Sequence, residues 1–364
     1  MRGGTHLATL RLRDRDAIAT KEGLIFRVLG YSHPAGSYIC DVEYASERIF
    51  RSNNLKALRN GVECQWYKFF ENEGWKLIRE RFPQYLIFND LLQKQVVGVK
   101  RKDIFEVRKP EEKLQALLAA QTKDDLLKAT EDVIDDVTKR TGFNLESLGV
   151  FGSMLHDFYH PKYSDIDLII YGQHNALKLC ETLKELYESS SSALSNEFAT
   201  VESVKGKPWH FQNFNLKEYW WHQRRKLIYA IFDDKKSGRR IKTEFEPAKE
   251  WKEISNDYDL KTKIRQIDWV KVLAEVKEDN QASFVPSIYG IEPREVIEGP
   301  RETLETIRII SYVEEFRKQA TIDEIVYAEG NLEEVTTAAG SFYQIVLTYC
   351  PRYYEQTLKV VDQA

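Results

Sequence analysis

Gly149-Val-Phe-Gly-Ser-Met-Leu-His-Asp-Phe-Tyr-His-Pro-Lys-Tyr-Ser-Asp-Ile-Asp-Leu-Ile-Ile-Tyr-Gly172 is the stretch on which the fold turns. An apolar strand, Leu148–Phe151, runs into Gly152-Ser153. One or two helical turns are expected next, then a second strand, Ser164–Tyr171, ending at Gly172. Successive strand side chains point to opposite faces, so Asp165 and Asp167 share a face while Ile166 and Leu168 point into a core. Two carboxylates this close raise each other's pKa unless a cation sits between them. Magnesium suits such oxygen donors and keeps room for water and substrate phosphates. Glycine at 152 lets the backbone approach a ligand, and backbone N–H groups with the Ser153 hydroxyl can hold phosphate oxygens. Together these parts form an apparatus for phosphoryl or nucleotidyl transfer, in which two metal ions about 3.5–4 Å apart stabilise the attacking and leaving oxygens. Singly the motifs are weak: Asp-x-Asp also opens ordinary strands with solvated acids, and Gly-Ser also makes turns. Their order and spacing carry the reading.

The segment resembles the signature of the nucleotidyltransferase superfamily that includes DNA polymerase beta, CCA-adding enzymes and kanamycin nucleotidyltransferase: Gly-Ser, a spacer, then Asp-x-Asp on the next strand. The likeness runs from a helix at Thr122 to a hairpin ending at Glu246. More loosely, the whole chain resembles predicted archaeal multi-domain nucleotidyltransferases, on Lys21–Phe26, His33-Pro34 and Gly330–Val335. The resemblance implies a magnesium-dependent, two-metal site on Asp165 and Asp167 with an NTP as substrate. It also implies a third carboxylate on a later strand. Glu244 is favoured and Glu246 is the alternative, although relatives more often carry Asp there. An exposed hairpin face with Lys242, Glu244 and Glu246 alternating outward competes with that assignment. Met154–Asp157 also departs from the small and basic residues that often follow Gly-Ser.

Flanking this segment, Thr122–Asp125 reads as a capped helix start, and Lys139-Arg140 before Gly142 as its end. Ala176, Leu179, Leu183 and Leu186 mark an amphipathic helix. Leu227–Phe232 and Arg240–Glu246 read as a hairpin around Asp233–Gly238. Tyr219–Lys226 offers Trp220 or Trp221 to stack on a base, and Arg224, Arg225 or Lys226 to bind phosphates. A helix with packed tryptophans and a basic C-terminal end is an equal alternative. Arg224 and Lys226 are assigned to the NTP. Lys205–Trp209 and Arg239-Arg240 add local positive charge. His156 and His160 read as loop residues near the phosphate site rather than zinc ligands.

On the N-terminal side, Gly23–Gly30, Ser37–Tyr44 and Gln65–Phe70 read as strands, and Glu73–Arg81 as a helix stopped before Pro83. Lys109-Pro110 marks a break. On the C-terminal side Leu260–Val276 has mixed helical character. Strands follow from Phe284, with Gly330-Asn331 as a turn. The expected fold is α+β: a central nucleotidyltransferase-fold mixed sheet with helices, between an N-terminal α+β domain and a small β-rich C-terminal domain. The divisions are 1–110, 111–255, a helical linker 256–283, and 284–364.

The 364 residues are 42% hydrophobic and 30% charged, enough apolar material for real cores. Net charge is −4, so nucleic-acid binding would have to come from local patches. Cys40, Cys64, Cys180 and Cys350 are widely spaced, which argues against a zinc ribbon or disulfide framework. No apolar run suits a membrane span or secretory leader, and a cytoplasmic location is expected. The expected reaction moves an NMP from an NTP to an acceptor, with RNA favoured over DNA, and releases pyrophosphate. The rivals are a catalytically inactive nucleic-acid-binding relative and a toxin-like enzyme modifying tRNA or protein.

Overall fold

Among the described residues three sheets follow one another along the chain. The computed structural model describes residues 10–205, 211–255, 258, 261–348 and 352–361. The first sheet has eight strands: β1 (Ala17–Ala19), β2 (Leu24–Val28), β3 (Ser37–Ser46), β4 (Leu58–Asn60), β5 (Gln65–Lys68), β6 (Leu86–Asn89), β7 (Lys94–Lys100) and β8 (Glu106–Arg108). Their order is β4-β5-β3-β2-β1-β8, and β7 joins β3 to β6. Helix α1 (Glu73–Arg81) buries Leu77 and Ile78 beneath β2 and β3 and stops before Pro83. Helix α2 (Pro110–Leu118) starts immediately after β8, with proline in its first turn where no amide donor is needed.

The central sheet runs β11-β12-β13-β10-β9, formed by β9 (Leu148–Val150), β10 (Ile166–Tyr171), β11 (Leu194–Asn196), β12 (Tyr229–Asp234) and β13 (Arg239–Ala248). Only β10 and β13 pair in parallel. Helices α3 (Asp125–Thr141) and α5 (Gln173–Glu188) cover one face, packing Val133, Ile134, Leu179 and Leu183 onto Leu168 and Phe245. Each such buried aliphatic side chain contributes about 1.5–3 kcal/mol. Asp124 caps α3 by accepting from the Leu127 amide (3.0 Å), and Gly142 ends it in the left-handed region. Two further helices, α4 (Gly152–Leu155) and α6 (Leu216–Arg225), complete the unit.

The C-terminal sheet contains β14 (Lys263–Gln281), β15 (Ser287–Glu298), β16 (Thr306–Ser311), β17 (Ile325–Thr337), β18 (Gly340–Leu347) and β19 (Thr357–Val360). Its order is β14-β15-β16-β18-β17-β19, and β17 pairs back onto β14. The first five strands therefore close into a ring, which removes their free edges. Two sequence expectations are corrected here. The helical linker at 256–283 is instead dominated by a 19-residue strand, β14. Val270, Val272, Ala274 and Val276 are buried on alternate positions, a period of two rather than 3.6. Leu260, where the misread segment began, lies outside the described residues. Gly330-Asn331 is no turn: β17 runs straight through it. Glycine is needed at 330 for close packing, because a Cβ there would meet Leu347 and lie 3.0 Å from the Val346 carbonyl.

A buried ion network joins the three units. Arg15 donates to Glu246 (2.8 Å) and lies 3.2 Å from Glu314. Arg27 binds Glu314 (2.6 Å), and Arg317 grips both oxygens of Glu246. Arg15 and Arg27 belong to the first unit, Glu246 to the second, Glu314 and Arg317 to the third. Cys40, Cys64 and Cys180 are free thiols. Cys350 lies outside the described residues. Among the described residues no helix is long and apolar enough to cross a membrane.

Candidate active site

The site forms on the face of the central sheet opposite α3 and α5. Asp167 and Glu244 are direct partners in the parallel β10–β13 register, so their side chains lie on one face, with Leu168 and Phe245 on the other. Asp165 precedes β10 and is held by its loop. Arg239 secures that loop, donating to the carbonyls of Pro161 and Ser164. Gly152 opens α4 with φ +60°, and a Cβ there would collide with Asp167 Oδ2. The bend therefore abuts the carboxylate because residue 152 has no side chain. The Phe151 amide donates to the Asp167 carbonyl (2.9 Å), locking the bend to the strand.

The electrostatics are those of crowded acids. Burial, then the charges of Glu244 and Asp165, push the Asp167 carboxyl up to about 8. Asp165 and Glu244 are also raised, burial being the largest cause in each, and Lys242 opposes both. Lys242 sits directly on Glu244 and 3.9 Å from Glu197. Among the described residues, neither Asp165 nor Asp167 has a hydrogen-bond or ion-pair partner for its carboxylate, and no three acidic, histidine or cysteine side chains converge as they stand around a metal position. The donor chemistry nonetheless fits a hard divalent cation: Asp167 and Glu244 share a face, Asp165 adds its charge beside Asp167, and the two aspartates are open. Asp165 and Asp167 would hold it, and Glu244 would join on exchanging its contact with Lys242.

The sequence-assigned residues separate into two groups. Gly152, Ser153, Asp165, Asp167 and Glu244 come together. The Ser153 hydroxyl has no partner among the described residues. Glu246, the alternative third acid, is sealed in the junction by Arg15 and Arg317, which hold its carboxyl below the usual range against the opposing effect of burial. The outward-facing hairpin is likewise not observed, since Glu246 is buried. Lys226 is a correction as well. It is fully buried with its ammonium on the Glu315 carbonyl, so it cannot meet an NTP. Arg224 is exposed, stacked over Trp220 at 5.4 Å, and makes no contact with the acids. Trp220 donates to the Phe198 carbonyl, while Trp221 packs against the C-terminal core and carries Arg225 at 4.3 Å. These tryptophans are structural. His156 is buried against Tyr44 and contacts Arg108, whereas His160 is exposed. Of the expected basic stretch Lys205–Trp209, residues 206–209 lie outside the described residues.

Sequence reasoning did not assign Arg239 or Lys68 to the site. Lys68, on β5, favours the charged forms of both Asp165 and Asp167 from across the unit boundary. Arg239 carried a signal, since it opens the strand that bears Glu244. Lys68 carried none, since its approach depends on how the first sheet docks.

A family model for a nucleotidyltransferase domain matches residues 131–246, from within α3 to Glu246 on β13. An uncharacterized protein of Methanocaldococcus jannaschii is 26% identical over 347 residues, covering 93% of this chain and 95% of the relative. That similarity therefore runs through all three sheets. No solved structure matches the chain. Residues 131–246 are thus similar to nucleotidyltransferase domains, and further folded units stand at both ends of that stretch.

Proposed function

We propose that the protein is a metal-dependent nucleotidyltransferase that moves an NMP from an NTP to an acceptor, with release of pyrophosphate. One observation carries this reading: Asp167 and Glu244 are register partners beside Asp165, and the only way Gly152 can abut Asp167 is without a side chain. Nucleotidyl transfer in general is what the matched domain supports. The acceptor oxygen attacks the α-phosphorus, the bond to the β-phosphate oxygen breaks, and pyrophosphate leaves. Asp165, Asp167 and Glu244 would hold magnesium, two ions being the arrangement that stabilises both the attacking and the leaving oxygen. The Ser153 hydroxyl and neighbouring backbone N–H groups orient the phosphates. Glu244, the register partner of Asp167, would receive the acceptor proton. The first sheet covers the site from one side and restricts water.

RNA is the acceptor we favour, by analogy with other closed β-rings that bind oligonucleotides. The charge pattern of this ring tempers that preference: on β14 and β15, Lys277 and Arg294 are already paired with Glu275 and Glu292. A second reading, a nucleotide-binding relative without transfer, is favoured by Lys242 occupying Glu244. Pyrophosphate release separates them. The full chain with the four NTPs, magnesium and total RNA is expected to release pyrophosphate, and EDTA to stop it. Magnesium-dependent NTP binding without release, with RNA and protein fractions alike, would favour the second reading.

A further inference from the structure

We propose that the N-terminal sheet supplies Lys68 as a residue that contacts the polyphosphate of the bound NTP, so that the active site is shared between two units of the chain. The inference rests on the nucleotidyl-transfer reading and extends it to a residue far outside the matched domain.

The geometry is set by strand pairing. Lys68 lies directly opposite Tyr44 in the antiparallel β3–β5 register, and Ser46 lies opposite Trp66. Opposed residues in an antiparallel pair project from the same face, as do residues two apart on one strand. Tyr44, Trp66 and Lys68 therefore share a face. The two aromatic members show where that face points. Tyr44 meets His156 and Phe158 edge-on at 5.3 and 5.5 Å, and Trp66 stacks on Phe158 at 5.2 Å. Ala17, Ala19 and Ile25 complete the same apolar contact with Leu155 and Phe158. Phe158 is in turn tied to the phosphate bend, its amide donating to the Ser153 carbonyl at 2.8 Å. The face that carries Lys68 is thus clamped onto the segment that follows Gly152-Ser153.

Two cations beside the acids are committed elsewhere. Lys242 sits on Glu244, and Arg239 is spent on the Pro161 and Ser164 carbonyls. Arg59, the neighbour of Trp66 on β4, donates to the Lys56 and Leu58 carbonyls. Lys68 is exposed, and among the described residues its ammonium has no hydrogen-bond or ion-pair partner. It forms an ion pair with neither Asp165 nor Asp167. With those carboxylates holding a divalent cation, the ammonium of Lys68 would be left to pair with the ligand's phosphate chain. A lysine is suited to that task as a mobile point charge with three donors.

The test is calorimetric titration of the full chain with ATP, CTP, GTP and UTP, each with magnesium chloride. The proteins compared are wild type, Lys68→Gln, Lys68→Arg and the Asp165→Asn/Asp167→Asn double variant. Lys68→Gln is expected to weaken binding of the preferred NTP about tenfold or more. Lys68→Arg should stay within about threefold of wild type, because the charge is kept. Adenosine and the other nucleosides should bind equally to wild type and Lys68→Gln, which a purely structural role for Lys68 would not produce. Wild-type affinity in Lys68→Gln, with loss of binding in the double aspartate variant, would overturn the lysine assignment and leave the nucleotidyl-transfer reading intact. Wild-type magnesium-dependent binding in the double variant would sink the metal reading itself. Absence of NTP binding by the wild type would overturn both.

Discussion

Glu244 and Glu246 sit two residues apart on β13, on one face, and their surroundings oppose each other. At Glu244 the neighbours are Asp167 and the amine of Lys242, and burial raises the carboxyl. At Glu246 two guanidinium groups from two other units close around the carboxylate and lower its pKa. Two residues of strand, about 6.6 Å, separate a crowded acid cluster from a satisfied one. The difference teaches how the chain combines chemistry with assembly. Among the described residues Asp165 and Asp167, beside Glu244, are left without partners and so stay available to a cation. The next acid on that face is buried and consumed in joining three units. Stability and reactivity are thus placed on adjacent positions of one strand.

The largest break in this comparison comes from Glu246→Gln. Removing one member of a buried ionic cluster leaves Arg15 and Arg317 without their shared counter-charge, and such losses cost about 3–5 kcal/mol. Chemical denaturation should show a much lower midpoint, and activity should fall only as folded protein is lost. The counterpart, Glu244→Gln, should lower transfer about 100-fold or more while leaving the denaturation midpoint close to wild type. Equal stability losses in the two variants would erase the distinction drawn here.

Gly152→Ala sharpens the account at the other side of the site. A Cβ at 152 must displace the Asp167 carboxylate, and the left-handed backbone there adds strain. Misplacement of a reacting group by about 1 Å can cost about 100-fold in rate. Steady-state kinetics should show the loss in kcat, with the fold intact by circular dichroism.

The smallest expected effect concerns pH at the junction of α6 with β19. His222 is buried with Nδ1 against the Glu218 carbonyl (2.7 Å) and Nε2 receiving the Val360 amide (3.0 Å). Burial lowers its pKa to about 3. The unfolded chain takes up that proton near pH 6.5 and the folded chain does not, so the contribution is complete above about pH 6.5 and falls away as pH drops toward about 3. Melting temperatures measured from pH 7.5 to 5 should decline, and His222→Leu should flatten that decline. An unchanged slope would contradict the role given to His222.

The parts of the fold that could be read from sequence are those whose signals are local. Helix α1 is marked by Pro83 after an amphipathic turn, and α3 by Asp124 and Gly142. The Asp-x-Asp strand and the glycine bend could be read because their chemistry is packed into one short segment. The misreadings share a physical cause. The apolar alternation of β14 is confined to its middle, and its ends carry charges that pair across the ring, as Arg265 does with Glu334. Lys226 resembles any basic residue at a helix end, and its burial depends on a carbonyl 89 residues away. The fate of Glu246 depends on Arg15, 231 residues distant, and Arg317, 71 residues distant. Local pattern does not contain those encounters.

The most direct test of the central claim is transfer from NTPs labelled separately on the α- and γ-phosphates, incubated with magnesium and total cellular RNA or protein. The account predicts that α-label enters the acceptor fraction and γ-label appears in pyrophosphate. Both signals should be lost in the Asp165→Asn/Asp167→Asn variant. Transfer of γ-label to the acceptor, or undiminished α-label transfer by that variant, would contradict it.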